Sequence, residues 1–99
     1  MKRIAVDGLP DDPLGAAGVF HQHWLAHVED VLGRGNDVMI VVPPADHTHR
    51  EWRLAIVAGL ARKHTPRRVN MVAGTGEKVD ATEVYLAAAP GITGQYLET

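Results

Sequence analysis

Two short runs of the chain, Val38-Met39-Ile40-Val41-Val42 and Val69-Asn70-Met71-Val72-Ala73, limit its fold more than any other feature. Neither alternates between apolar and polar residues, so neither has a face suited to water. A strand with no polar face is covered on both sides, as in the middle of a parallel sheet. Parallel neighbours need a crossover connection, and the segment between the runs has the length and pattern of one helix. The stretch from Ala45 to Gly74 therefore reads as helix, basic turn at Arg67-Arg68, and buried strand ending in glycine.

The helix has its own signals. Thr48 and Glu51 have the spacing of a capping box. No proline interrupts Glu51 to His64. Trp52, Ile56, Gly59, Leu60 and Lys63 recur at three- and four-residue steps, with a second apolar line of Leu54, Val57, Ala58 and Ala61 beside it. The small residues Ala55, Ala58, Gly59 and Ala61 admit close approach by another backbone. Gly59 costs about 1 kcal/mol against alanine in a helix interior, which implies a packing reason for it. Pro66 ends the helix.

The rest of the chain extends this unit in both directions. Lys2 to Val6 is a short strand stopped by Asp7-Gly8. Asp12-Pro13 pairs an N-cap with proline at the first helical position. The helix it opens is predicted to run unbroken to about Leu32, with Gly33 and Gly35 ending it. Thr75 to Lys78 reads as a loop, and Asp80 with Glu83 as a second capping box for a short helix from about Ala81 to Ala89. Ile92 to Leu97 completes the order βαβαβαβ. This is an α/β chain: a small Rossmann-like three-layer fold with a mostly parallel four-stranded sheet, forming one domain over residues 1–99. Right-handed crossovers that advance in one direction put both long helices on one face. One short helix covers the other face poorly and leaves the Lys2–Val6 edge open, which points to association with another chain.

Composition removes several function classes. A net charge of −2 with no dense basic run argues against a nucleic-acid partner, and none is expected. No apolar stretch approaches the roughly 20 residues a membrane span needs, and no signal peptide opens the chain, so a cytoplasmic protein with no membrane partner is expected. There are no cysteines and hence no thiol chemistry.

Two separated segments resemble the C-terminal half of the short-chain dehydrogenase/reductase family. Leu60-Ala61-Arg62, Pro66 and Arg68-Val69-Asn70-Met71-Val72-Ala73-Gly74 are similar to that family's L-A-x-E-x-A-P-x-x-I-R-V-N-x-V-x-P-G. Tyr85-Leu86-Ala87-Ala88-Ala89-Pro90-Gly91-Ile92-Thr93-Gly94-Gln95 is similar to its Y-L-A-S-x-x-x-x-x-T-G-Q. The resemblance implies that the third helix covers the second face of the sheet and that Asn70 holds backbone in place. It also implies that the two long helices form a dimer interface, for which Trp24, Val28, Trp52, Ala55, Ala58 and Gly59 are the candidates.

The chemistry of the family does not carry over with its shape. The resemblance puts the catalytic tyrosine at Asp46 and the lysine at Arg50, and Pro43-Pro44 stands where the serine would precede them. A carboxylate does not replace a phenol that exchanges a proton near neutral pH, and arginine stays protonated throughout. Neither Gly8, Gly15 and Gly18 nor Gly74-Thr75-Gly76 has the spacing of the glycine-rich cofactor turn. The expectation is a truncated, non-catalytic protein without cofactor. It would act as a structural or regulatory subunit, either as a homodimer or with a complete short-chain dehydrogenase.

Six histidines offer an alternative. His23 and His27, four residues apart with Asp30 one turn on, have a metal-ligand spacing. Asp46, His47, His49 and Arg50 could form a small catalytic or ligand-binding cluster at the edge where open α/β sheets bind ligands. The plainer reading is solvated histidines, a local Asp46–Arg50 salt bridge, and tryptophans that serve as core or interface anchors. Arg67 and Arg68 are read as solvating a turn.

Overall fold

The computed structural model describes residues 1–99. Four strands, β1 (Lys2–Ala5), β2 (Val38–Val42), β3 (Val69–Ala73) and β4 (Tyr96–Glu98), form one sheet in the order β1-β2-β3-β4, with every pair parallel. The two apolar runs are the two central strands, as their pattern requires. Helices α1 (Pro13–His23) and α2 (Leu25–Gly33) connect β1 to β2, α3 (Arg50–Lys63) connects β2 to β3, and α4 (Gly76–Ala87) connects β3 to β4.

The pleat sorts the strand residues between two cores. Ile4, Val38, Ile40, Val42, Val69, Met71 and Tyr96 face α1, α2 and α3, where they meet Phe20, Val28, Leu32, Val57 and Leu60. Met39 and Val72 face the other way, against Val79 and Leu86 of α4. The sheet advances in one direction throughout, yet the last helix lies on the opposite face from the first three. The β3–α4–β4 connection therefore has the opposite hand to the two before it, and about 98% of such crossovers are right-handed.

Local expectations fail at five points, one of them the last strand, which spans Tyr96–Glu98 in place of Ile92 to Leu97. The first long helix is interrupted at Trp24, whose ψ of −34° comes with a φ of −120°. Ala16 and Leu32 are both fully buried. On a straight helix sixteen residues turn the second about 160° from the first. The break at Trp24 resets the phase, so that Phe20 of α1 and Val28 and Leu32 of α2 all join the same core.

At α3 the capping residue is Asp46 rather than Thr48. The Asp46 carboxylate accepts the Thr48 amide at 2.9 Å and the Thr48 hydroxyl, opening a 3-10 turn over His47–His49 before the α-helix. A carboxylate is a stronger acceptor for these N–H groups than a hydroxyl. With its carboxylate so engaged, Asp46 makes no salt bridge to Arg50, which pairs instead with Glu98 at 3.0 Å.

The last two differences concern α4. It begins at Gly76 in the predicted loop, with Thr75 as N-cap. Asp80 and Glu83 are not caps. They bind the Arg3 guanidinium of β1 at 2.9 and 2.6 Å, and so tie the edge strand to the helix on the far face.

Candidate functional site

The carboxyl ends of β1 and β2 open into a cleft of about 230 Å³. Residues 9–11 after β1 form one wall and residues 43–46 after β2 the other, with His49 and Arg53 completing it. His49 comes from the 3-10 turn before α3 and Arg53 from the first turn of α3, and both are buried, at 6% and 2% exposure.

His49 is locked by its neighbours. The Trp52 indole donates to Nδ1 at 3.1 Å. An indole N–H can only donate, so Nδ1 is the unprotonated nitrogen and Nε2 carries the hydrogen. Nε2 in turn donates to the Asp11 carbonyl at 2.7 Å. Both ring nitrogens are used, the ring is neutral, and no nitrogen is left to act as a base. His49 joins α3 to the segment after β1, a structural role in place of the catalytic alternative. His47 is exposed beside it. The Asp46 carboxyl is held below the usual carboxylate range, first by the Thr48 hydroxyl and then by the Thr48 amide.

Arg53 is the unusual member. Its Nη1 donates to the Pro43 carbonyl at 3.0 Å and to the Tyr96 hydroxyl at 3.1 Å. The guanidinium carbon lies 5.5 Å from the Trp52 ring centre and 5.9 Å from that of Tyr96. None of the ion pairs in the chain includes it, and its Nε is buried with no hydrogen-bond partner.

The other candidates are dispersed. His23 and His27 are exposed on either side of the break at Trp24, and Asp30 is paired with Arg34 at 3.1 Å. No group of three or more His, Asp or Glu side chains converges as a metal site would require. Val28 is fully covered by its own chain, so its interface assignment gives way to a core role. Ala58 lies against Gly94: a Cβ at Gly94, whose φ is +74°, would come within 3.9 Å of the Ala58 Cα and 3.1 Å of the Ala61 Cβ. Part of the small-residue line is thus used inside the chain. Trp24, Trp52 and Gly59 are half-buried, and Ala55 is exposed.

The two segments that carry the resemblance are joined in space. Asn70 donates to the Ile92 carbonyl and accepts the Gln95 amide, both at 3.1 Å, and Thr93 Oγ1 accepts the Val69 amide at 3.1 Å. Comparison with known families agrees with this arrangement: the model described as "SDR-like: Short chain dehydrogenase-like protein" matches residues 4–99. The chain belongs to this family. No curated protein and no solved structure matches it significantly.

In this short chain dehydrogenase-like protein the turn after β3 is packed against the C-terminal residues. The space beside Gly74 is filled by the chain itself, since a Cβ there would collide with Thr99 Oγ1. Thr99 Oγ1 also donates to the Ala73 carbonyl at 2.9 Å. Asp46 and Arg50 both make structural contacts.

The residues that sequence reasoning missed are Arg53 and Tyr96. A signal for Arg53 was present, because it stands in phase with Ile56, Val57 and Leu60 on the buried stripe of α3. An arginine at i before apolar i+3, i+4 and i+7 is a charge placed on a core face.

Proposed function

We propose that this chain is a non-catalytic, soluble, cytoplasmic member of its family. In this reading it serves as a dimerising or structural subunit, paired with a second copy of itself or with a complete dehydrogenase. One observation carries the reading. Asp46 and Arg50, where the family resemblance puts the proton-transferring tyrosine and its lysine, are engaged as a helix cap and in an ion pair with Glu98. Neither group has the chemistry to exchange a proton with a carbinol near neutral pH.

The outer side of the helical layer supports the pairing. An open apolar groove of about 320 Å³ runs between α1 and α3, lined by Leu14, Ala17, Trp52 and Ala55 among others. Leu14 is 86% exposed, a large apolar side chain at the margin of a groove of the kind partners cover.

The test combines mass and activity. Light scattering on the purified chain should give a dimer, or the native-cell complex should contain a stoichiometric dehydrogenase. Leu14→Glu combined with Ala55→Glu should weaken that association at least tenfold while leaving the far-UV spectrum intact. Turnover of NADH or NADPH by the isolated chain would overturn the non-catalytic reading. A monomer that purifies alone from its own cell would overturn the subunit reading.

A further inference from the structure

Arg53 has more donors than the protein supplies acceptors for. Nη1 alone makes its two hydrogen bonds, Nε is buried without one, and no carboxylate pairs with the charge. Buried polar groups are nearly always partnered, and a buried charge left unpaired is among the costliest arrangements in a fold. A purely structural role, tethering the Pro43 carbonyl, accounts for Nη1. It accounts neither for Nε nor for the missing counter-charge. The Trp52 and Tyr96 rings that flank the guanidinium offer it their π faces but no negative charge. The one opening beside this cation is the cleft it lines.

We propose that the cleft binds a small monocarboxylate bearing a hydroxyl or amino group, with the carboxylate on Arg53. Nη2, which makes no hydrogen bond and is not enclosed as Nε is, is the nitrogen left to meet a carboxylate in a charge-assisted contact. The volume sets the size: about 230 Å³, at roughly 30 Å³ per water-sized group, admits about eight non-hydrogen atoms. Asp11 and Asp46 line the same cleft. Their negative charge opposes a phosphate dianion more than a monocarboxylate, and their oxygens are acceptors for a hydroxyl or ammonium. The walls are set in advance, because His49 is bonded at both nitrogens and holds Trp52 and the Asp11 backbone in place. The site does not depend on whether the chain pairs with a partner.

Nitrogen-15 NMR of the full chain tests this at constant ionic strength, with sodium lactate, sodium propionate and inorganic phosphate as probes against a chloride background. Lactate should shift the Arg53 Nε–H and Trp52 indole resonances saturably. Propionate, which lacks the hydroxyl, should bind at least threefold more weakly and phosphate at least tenfold more weakly. Arg53→Met should reduce lactate affinity at least tenfold while the dispersed amide spectrum of a folded chain is retained. Four results overturn the proposal: shifts that chloride alone reproduces, phosphate binding tighter than lactate, equal lactate affinity in Arg53→Met, or no saturable shift at Arg53. The wild-type titration decides the matter even if the variant does not fold. None of these readouts measures the mass of the assembly, so failure here leaves the pairing reading untouched.

Discussion

Two arginines stand at opposite ends of the same sheet, and their surroundings differ. Arg68, at the amino end of β3, pairs with Asp37 through Nε at 3.3 Å and donates from Nη1 to the Leu86 and Ala89 carbonyls, each at 3.0 Å. Its backbone amide also binds Asp37, at 2.8 Å. It ties β2, β3 and the end of α4 together with its charge matched. Arg53, at the carboxyl end, is more deeply buried, has no counter-charge and keeps a vacant donor. One end of the sheet is closed by its own polar contacts. The other is left short of an acceptor at the edge where open α/β folds receive ligands.

The comparison breaks most clearly through stability. Arg68→Ala should cost about 2–3 kcal/mol in urea unfolding, because it leaves Asp37 with only the backbone amide of residue 68 and strips two part-buried carbonyls of their donor. Acid should act on the same end of the sheet. Burial pushes the Asp37 carboxyl up, but the Arg68 amide and guanidinium together outweigh it and hold the group below its usual range. Glu29 is likewise held low, by Lys63 first and then His64. A carboxyl depressed in the folded state contributes stability above its unfolded pKa and loses it as pH falls through the folded value. Asp37→Asn should therefore cost about 1–2 kcal/mol at pH 7. The gap from wild type should close as pH falls below about 4. A gap of constant size from pH 7 to pH 2 would remove the ion-pair account.

Smaller effects sharpen the contrast at the other end. Trp52→Phe deletes the donor to His49 Nδ1 and should cost about 1 kcal/mol, while nitrogen NMR should still show the hydrogen on Nε2, held by the Asp11 carbonyl. Arg53→Met should change stability by less than about 1 kcal/mol in either direction, since an apolar chain of similar length replaces an unpaired buried charge. If it were as costly as Arg68→Ala, the two ends would be equally structural.

The sequence carried the layers of this molecule well and its polar contacts poorly. The runs at 38–42 and 69–73 match β2 and β3 residue for residue, because burial on both faces leaves a one-dimensional trace. The placement of α4 on the far face followed from family resemblance and could not have come from handedness rules, which favour the near one. Asp80 and Glu83 looked like a cap since their spacing fits one. Their partner, Arg3, lies 77 and 80 residues away, out of reach of any local pattern. Thr48 lost its cap to Asp46 for a similar reason, as two acceptors two residues apart differ in strength and not in spacing. At the candidate site Asp46 and His49 were legible as residues of the right edge. The role of His49 depended on Asp11, which the chain brings in from the segment after β1, and that of the cleft's cation, Arg53, on Tyr96 from β4.

The short β4 strand has a consequence for motion. Only Tyr96–Glu98 pair with β3, at the margin of the sheet, and an edge of this length belongs to the part of a structure that opens by local unfolding well before the whole. Tyr96 supports Arg53, and Glu98 holds Arg50. When β4 frays, both arginines lose a tether together, although they sit on a helix anchored in the most protected part of the core. Hydrogen exchange should therefore show two rates around the cleft, slow at α3 and the central strands and faster at the strand that sets where its cation points.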